Sequence, residues 1–421
     1  MPNSPSDVSR PLPPYDSIPE TRRETKSAGR VLLVALGVAL IAGCASAGGS
    51  SSAVPDMRTA QNISRALPGA TLPPSADNAP CAAHGPNASC PVTKNQGFPP
   101  SKSPTGGLTP AQLRAAYGLP PSTGAGTPSG PAVAIVVAFK NAHAESDLAT
   151  YRSQFGLPAC TSANRCFQEV DSKPQPGADT TKATPNSTDG TSWADEGALD
   201  LAMVSAACPT CRIIFVEAPG EDLDSLSSAV NLAASLHPAA ISNSWGVSEA
   251  GNDMLIDFTA RGAFQHPGIA ITASAGDLGP NDIQFPASSP YVTSVGGTSL
   301  AAAPGARKWN ETVWDASSNG CSSLIARPSW QTSDNCTGAR SVPDVSMLAD
   351  TTPGVAVYSQ AEKGWVVLGG TSIGAPFVAG LYAAAANYGA DTVGAPALYA
   401  HLNALNAVPG TTGSPNGLEG F

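Results

Sequence analysis

Histidine is scarce in this chain, with five in 421 residues, at His84, His143, His237, His266 and His401. None stands in a His-Gly-Thr setting, and the first core strand predicted, residues 133–138, ends without an aspartate. A Ser-His-Asp triad is therefore excluded as the chemistry of this chain. Charge is sparse too, at 13% of residues, with a net charge of −10. Lys and Arg cluster nowhere beyond the N-terminal segment, which excludes a nucleic-acid partner. The apolar run at residues 31–43 is thirteen residues long, too short to span a membrane comfortably, which takes about twenty. No internal repeat is present.

What the chain does have is Gly369-Gly370-Thr371-Ser372-Ile373-Gly374-Ala375-Pro376, followed by small and apolar residues to Ala386. Gly-Gly lets the backbone turn sharply before a helix. Ser372 then falls where unpaired N–H groups and the positive end of the helix dipole can hold a developing oxyanion. Pro376 lies in the first turn, where a missing N–H costs little. On these eight residues alone, an ordinary Gly-Thr-Ser helix cap is the competing reading.

A serine hydroxyl needs a base, and carboxylates offer one. In residues 193–207 apolar positions recur at Leu199, Met203 and Ala206/Ala207, which predicts a helix with a buried stripe. Glu196 and Asp200 are four apart, on one face and about one turn from each other. Like charges that close in a buried site share a proton. Two solvated acids near a helix N-terminus are the alternative, but the Ala-rich helix reads as mostly buried, and buried acids need a reason. A third carboxylate, Asp277, follows the short apolar run of residues 269–275 through Gly276. That places it past the C-terminal end of a buried parallel strand, where open α/β sheets put their sites. A Gly-Asp turn is the alternative for this residue alone.

Together these segments resemble the sedolisin family, the serine-carboxyl peptidases. The resemblance rests on Glu196-x-x-x-Asp200, Ser274-Ala275-Gly276-Asp277, and Gly370-Thr371-Ser372 with Pro376. Two further runs support it, Ser242-Asn243-Ser244-Trp245-Gly246 and Val342-Pro343-Asp344-Val345-Ser346. It begins near Leu108-Thr109-Pro110-Ala111-Gln112-Leu113 and runs almost to the C-terminus. It implies a subtilisin-like α/β fold, doubly wound, with a mostly parallel sheet and helices on both faces. It also implies Ser372 as nucleophile, Glu196 as general base, Asp200 orienting Glu196, and Asp277 stabilising the oxyanion. Ser244, Trp245 and Gly246 are implied as substrate-binding residues at the end of a strand that pairs with the substrate backbone. The partners implied are polypeptides, cleaved internally or, in the alternative, removed as tripeptides. A non-catalytic peptide-binding protein on the same scaffold is a further alternative. The chain is read as a monomer with no cofactor.

The family's structural calcium uses an Asn-Asp-Val or Asn-Asp-Ile step and a later Asp-bearing, Gly-rich loop. Here the step reads Asn406-Ala407-Val408, and residues 409–417 carry no aspartate. Calcium wants six to eight oxygens, carboxylates among them, so the calcium site is expected to be lost. Acid operation is expected as well. Glu196 must be ionised to take the serine proton while Asp277 keeps its own. With carboxyl pKa values near 4, both hold only at roughly pH 3 to 5, where a histidine base would be protonated.

Residues 1–30 form a polar N-terminal tail with Arg22, Arg23, Lys26 and Arg30, and residues 31–47 read as an export signal. Its end, Leu40-Ile41-Ala42-Gly43-Cys44, resembles a bacterial lipobox with Cys44 as the lipidated residue. Ala45-Ser46-Ala47 offers a signal-peptidase site as the competitor, and an uncleaved anchor is the third possibility. Membrane contact is expected only through this signal or lipid, and the protein is expected to be exported. Residues 48–106, rich in Ser, Pro, Ala and Asn, read as a low-complexity tether or vestigial pro-segment, too apolar-poor for the folded pro-domain usual in the family. Residues 107–421 form the peptidase domain.

Nine cysteines leave eight once Cys44 is set aside, in four close pairs: Cys81/Cys90, Cys160/Cys166, Cys208/Cys211 and Cys321/Cys336. Proximity suggests those disulfides, as in an oxidising compartment. Cys208-Pro209-Thr210-Cys211 read alone also fits a redox motif or half a zinc site, but by the resemblance it is a structural clip after the catalytic helix. Strands are predicted at residues 133–138, 212–216, 239–244, 269–274 and 291–295, and helices at 144–155, 194–207, 222–236 and 254–266, a βαβ pattern that implies a parallel sheet. Gly296-Gly297-Thr298-Ser299 reads as a loop. Trp193 and Trp314 read as wall or core.

Overall fold

Seven consecutive buried residues, Ala132–Ala138, form strand β2 at the middle of the principal sheet. A strand buried at every position has both its faces covered, so it reads as a continuous apolar run rather than an alternating one. The structure, a computed structural model, describes residues 87–122, 128–172, 192–252, 254–255, 262–305, 307–332, 336–386 and 393–408. The chain divides into two units, Met1–Pro68 and Gly69–Phe421, and every described residue belongs to the second. The readings of Cys44, Cys81, residues 31–47 and residues 409–417 lie outside the described residues.

Along the chain run β1 (Thr93–Lys94), α1 (Pro110–Ala116), β2, α2 (Ala144–Gln154), β3 (Phe167–Asp171), α3 (Trp193–Ala207), β4 (Arg212–Ala218), α4 (Leu223–Ser235) and β5 (Ala240–Asn243). Then follow β6 (Val247–Ser248), β7 (Ala270–Ser274), β8 (Gln284–Phe285), β9 (Thr293–Ala302), β10 (Trp309–Val313), β11 (Gly320–Ala326), β12 (Ala339–Val342), β13 (Val345–Leu348), β14 (Val355–Ser359) and β15 (Gly364–Gly369). The last helices are α5 (Gly374–Ala386) and α6 (Ala395–Ala400). The principal sheet has the order β10-β9-β7-β5-β2-β4-β3, with β13 also on β9. Every pairing in it is parallel except β9 with β10. Helices α3 and α5 pack on each other, while α4 lies on β2, β4 and β5. The expected α/β fold is therefore present, and the predicted strands and three of the predicted helices fall where these elements lie. The predicted helix at 254–266 falls largely outside the described residues.

Two expectations differ from the structure. Gly296-Gly297-Thr298-Ser299 is not a loop but the middle of β9. Its glycines serve close packing: a Cβ on Gly296 would lie 2.4 Å from Pro343 Cγ, and one on Gly297 would lie 2.7 Å from Ala349 Cβ. The second concerns residues 87–106, which composition assigns to the tether. β1 pairs antiparallel with β15, and Cys90 and Val92 are fully buried. Composition alone misses this because the segment is held by pairing with the domain rather than by a core of its own.

Three of the proximity pairs are disulfides: Cys160–Cys166, Cys208–Cys211 and Cys321–Cys336. Cys208–Cys211 closes the turn between α3 and β4, as a clip. Cys90 is also disulfide-bonded, to a partner outside the described residues. A buried ion pair joins β12 to β13. Arg340 Nη1 and Nη2 donate to the two Asp344 carboxylate oxygens at 2.6 and 2.5 Å, both side chains are fully buried, and the Ser294 N–H donates to Asp344 at 2.8 Å. The aspartate of the Val342-Pro343-Asp344 run thereby ties β13 to β9 beneath the cleft.

Candidate active site

Helix α3 starts at a capping box. The Ser192 hydroxyl receives the Asp195 N–H, and Asp195 reaches back to the Ser192 N–H, which satisfies two of the helix's orphan donors. This Ser-x-x-Asp step, not read from the sequence, fixes where α3 begins, and so where Glu196 points. Every residue of α3 is buried. Glu196 and Asp200 are fully buried, on the face packed against the short 3-10 turn Thr371–Ile373 and α5.

Ser372 sits in that 3-10 turn, one turn before α5. Its hydroxyl donates to Glu196 Oε2 at 2.8 Å. Asp200 Oδ1 accepts from the Ser244 hydroxyl at 2.6 Å. Among the described residues, Glu196 Oε1 and Asp200 Oδ2 are buried without a hydrogen-bond partner. One proton on the pair relieves both their repulsion and the desolvation of a second charge. Asp277 lies just past β7, preceded by Gly276 at φ 109°. Its Oδ1 accepts from the Thr371 N–H at 2.9 Å and the Thr371 hydroxyl at 2.8 Å. The Thr371 hydroxyl in turn accepts from the Gly276 N–H at 3.1 Å. Thr371 therefore locks Asp277 to the turn that carries Ser372, a positioning role that no sequence pattern revealed. Asp277 Oδ2 is left free of these bonds and buried. It faces Gly370, where a Cβ would come within 2.7 Å of it. Gly370, at φ 103°, is thus required both for the turn and for space.

Burial dominates the electrostatics. It pushes Glu196 well above the usual carboxyl range, with the Asp200 charge adding to the shift and the Ser372 hydrogen bond opposing it. Burial likewise pushes Asp200 up, against the Ser244 hydroxyl. Asp277 is pushed up to about 7 by burial, opposed by its two bonds from Thr371. Two further acids missed by sequence reasoning stand behind the site. Burial raises Asp195 to about 6 and Asp147 to about 7. Asp195 accepts from the Ser359 hydroxyl at 2.6 Å.

The structure thus brings Ser372, Glu196, Asp200 and Asp277 together. Of the three expected substrate-binding residues, Ser244 turns its side chain inward to Asp200, and Trp245 is fully buried against Phe264, ring centroids 6.1 Å apart. Only Gly246 offers its backbone to a neighbouring strand, exchanging N–H···O bonds with Ser89. Trp193 donates to Glu221 Oε2 at 3.1 Å and is a buried core residue. Trp314 packs over Gly297. Among the described residues no group of three or more His, Cys, Asp or Glu side chains could hold a metal ion, and no helix is long and apolar enough to cross a membrane.

Kumamolisin from Bacillus sp. (strain MN-32) is 30% identical over 317 residues, which cover 67% of this chain and 52% of that protein. Sedolisin from Pseudomonas sp. (strain 101) is 33% identical over 138 residues, 30% of this chain and 23% of that protein. The chain thus spans about half the length of the first of these curated relatives and less of the second. No family profile matches the chain. Among solved structures, Pseudomonas sedolisin, a serine-carboxyl proteinase complexed with two molecules of pseudo-iodotyrostatin, superposes with a TM-score of 0.59 at 22% identity, covering 75% of this chain and 95% of that one. This likeness shows the fold.

The raised acids carry a consequence for stability. Asp277, Asp147 and Asp195 hold protons in the folded protein at pH values where the unfolded chain, with carboxyls near 4, has lost them. The folded state therefore binds more protons than the unfolded state between about pH 4 and 7, and stability falls as pH rises through that window. Thermal unfolding scanned from pH 4 to 8 is expected to show a falling melting temperature. Asp147→Asn, which leaves Ser372 and the acids around it untouched, is expected to make the fall shallower. A melting temperature that rises toward pH 7 would contradict the assignment.

Proposed function

We propose that this chain, whose sequence and fold support the sedolisin family, is a serine-carboxyl endopeptidase acting in acid on polypeptides. The observation that carries the reading is the 2.8 Å bond from the Ser372 hydroxyl to a buried carboxylate, Glu196, with no histidine hydrogen-bonded to either among the described residues. Glu196 takes the Ser372 proton as Oγ attacks the substrate carbonyl carbon. Asp200, held by Ser244, keeps the pair's remaining proton and orients Glu196. Asp277, protonated, donates from Oδ2 to the oxyanion. Glu196 then returns its proton to the leaving amine as the C–N bond breaks, and water repeats the sequence on the acyl-serine.

The raised carboxyls support a pH window above the roughly pH 3 to 5 that unperturbed carboxyls give. Asp277 at about 7 sets the alkaline limb, and the second proton of the Glu196/Asp200 pair sets the acid limb.

Export and lipidation at Cys44 remain part of the proposal, supported by the residues at 31–47. Loss of the family calcium is proposed too: Asn406 and Ala407 are exposed and bring no carboxylate, so they do not fit the ion.

Hydrolysis of an unstructured polypeptide is expected to peak below pH 7 with a descending limb near 7. Ser372→Ala and Glu196→Gln are expected to lose at least ~10³-fold in kcat. Asp277→Asn is expected to keep a measurable fraction, since an amide still donates. An optimum above pH 7, or full activity of Ser372→Ala, would sink the assignment. A chelator is expected to leave the melting temperature unchanged, because an ion that is not bound cannot stabilise the fold. A drop with EDTA that calcium reverses would show the site to be present. The mass of the mature N-terminus is expected to show a lipidated Cys44, and an unmodified start at Gly48 would refute tethering.

A further inference from the structure

Two acids outside the catalytic set meet the β14–β15 hairpin beside the N-terminus of α3. Asp147, in the first turn of α2, is 3% exposed, and Asp195, the third residue of α3, is 1% exposed. Helices α2 and α3 pack on each other, and both pack on β14. The two carboxyls hold the start of the turn that joins β14 to β15. Asp195 Oδ1 accepts from the Ser359 hydroxyl at 2.6 Å, and Asp147 Oδ2 accepts from the Gln360 N–H at 3.2 Å. The other Asp195 oxygen closes the capping box on Ser192, one residue before Glu196. Strand β15 then runs to Gly369 and leads directly into Gly370-Thr371-Ser372. One hairpin thus grips the helix of Glu196 at its turn and bears Ser372 just past its end.

The two grips differ in what they tolerate. A hydroxyl donates or accepts, so the bond between Asp195 and Ser359 survives with the carboxyl charged or neutral. The Gln360 N–H only donates, and Asp147 Oδ1 is buried with no hydrogen-bond partner. A full charge on Asp147 is therefore met by a single hydrogen bond. Neither buried acid has a cation among its partners. Asp195 faces Asp147 from α3, while across the hairpin Lys94 is engaged by Glu362 in an ion pair and Lys363 is exposed. On α2 itself Glu145 is turned to Ser162 and Arg152 to Pro158 and Pro209, and burial keeps Tyr151 neutral. Such a site accepts two acids cheaply only while they keep protons.

We propose that Asp147 and Asp195 are positioning residues that clasp the β14–β15 hairpin to α2 and α3 and so keep Glu196 in register with Ser372. The inference rests on the peptidase reading of those two residues. With the acids neutral the clasp is closed. As pH rises Asp147 loses its proton, its charge repels Asp195, and the turn at Gln360 is released. The closed clasp binds protons that the open one, with carboxyls near 4, has lost. Opening therefore grows by up to about tenfold per pH unit and levels off once Asp147, raised to about 7, has ionised. The alkaline loss of activity then has a conformational part beside the ionisation of Asp277.

The test uses the full chain. In Ser372→Ala, which cannot turn over, hydrogen-exchange protection of the Gln360 and Glu196 amides is expected to fall at least tenfold from about pH 5 to 8, corrected for intrinsic rates. Adding Asp147→Asn is expected to abolish that fall, because the amide oxygen still accepts the Gln360 N–H and never ionises. Ser359→Ala, which leaves both carboxyls in place, is expected to lower Glu196 protection and kcat at least fivefold at about pH 5 with KM unchanged. With Ser372 present, log kcat for a fluorogenic peptide is expected to descend more steeply than one proton allows, and with a slope of one in Asp147→Asn. A merely structural Asp147 would change the height of that profile and keep its slope. Protection independent of pH in Ser372→Ala, or the same fall with Asp147→Asn added, would overturn the clasp. A fall that Asp147→Asn abolishes, in a chain that hydrolyses no peptide at any pH, would uphold the clasp and remove the peptidase reading.

Discussion

Desolvation of carboxylates is the constraint on which the rest of the structure depends. Glu196, Asp200 and Asp277 are at most 8% exposed, and a charge in such surroundings is costly unless it is paired or neutralised. No Lys or Arg side chain is hydrogen-bonded to any of the three among the described residues. The fold instead supplies hydroxyls and N–H groups: Ser372 to Glu196, Ser244 to Asp200, Thr371 twice to Asp277. Each bond favours the ionised form and only partly offsets burial, so the acids sit above their ordinary range. That position lets one carboxyl donate while another accepts. A cation in the cluster would pull the acids down and abolish the difference.

The elements around the site serve this burial. Helix α3 can be buried on every side only because small residues let neighbours approach. A Cβ on Gly197 would lie 2.9 Å from the Phe215 ring, and one on Gly380 of α5 would lie 2.7 Å from Ala207. Two helices packed this closely exclude water from the face that carries Glu196 and Asp200. The same logic places the ion pair Arg340–Asp344 one strand away: Asp344 also receives the Ser294 N–H, Gln331 and the Tyr399 hydroxyl, and although Arg340 Nε is left without a partner the pair is buried outright, fixing β13 against β9 without feeding charge into the site. The stability of the fold and the tuning of the acids are then one problem, solved with alanine and glycine.

Much of this was legible in the sequence, for identifiable reasons. Residues 133–138 and 269–274 read as parallel strands because burial on both faces leaves a continuous apolar run. Glu196 and Asp200 declare their shared face through a spacing of four, and a Gly-Gly step before Ser372 announces a turn that only glycine can make. What stayed hidden depends on contacts between distant segments. Thr371 meets Asp277 across 94 positions of sequence, and Asp147 meets Gln360 across 213. Gly296-Gly297 looks like a loop because local propensity disfavours glycine in strands, whereas here the tight approach of Pro343 and Ala349 demands it. Ser244 and Trp245 carry the resemblance to a substrate-binding strand, yet their side chains serve the core and Asp200.

The segment at residues 87–94 shows why composition can mislead about role. A stretch rich in Ser, Pro, Asn and Ala has too little apolar surface to fold alone, and that is sound as a statement about the isolated segment. Pairing with the domain changes the balance, because Gly246 and Gly369 offer backbone partners to Ser89 and Thr93, and Cys90 and Val92 are buried between them. Backbone pairing asks nothing of side-chain hydrophobicity, so a low-complexity strand satisfies the cleft as well as an apolar one would. A sheet edge with unpaired backbone groups will pair with its own chain when that chain reaches it. The turn at Pro91 and the cross-link at Cys90 then restrict the conformation of the segment rather than add contacts.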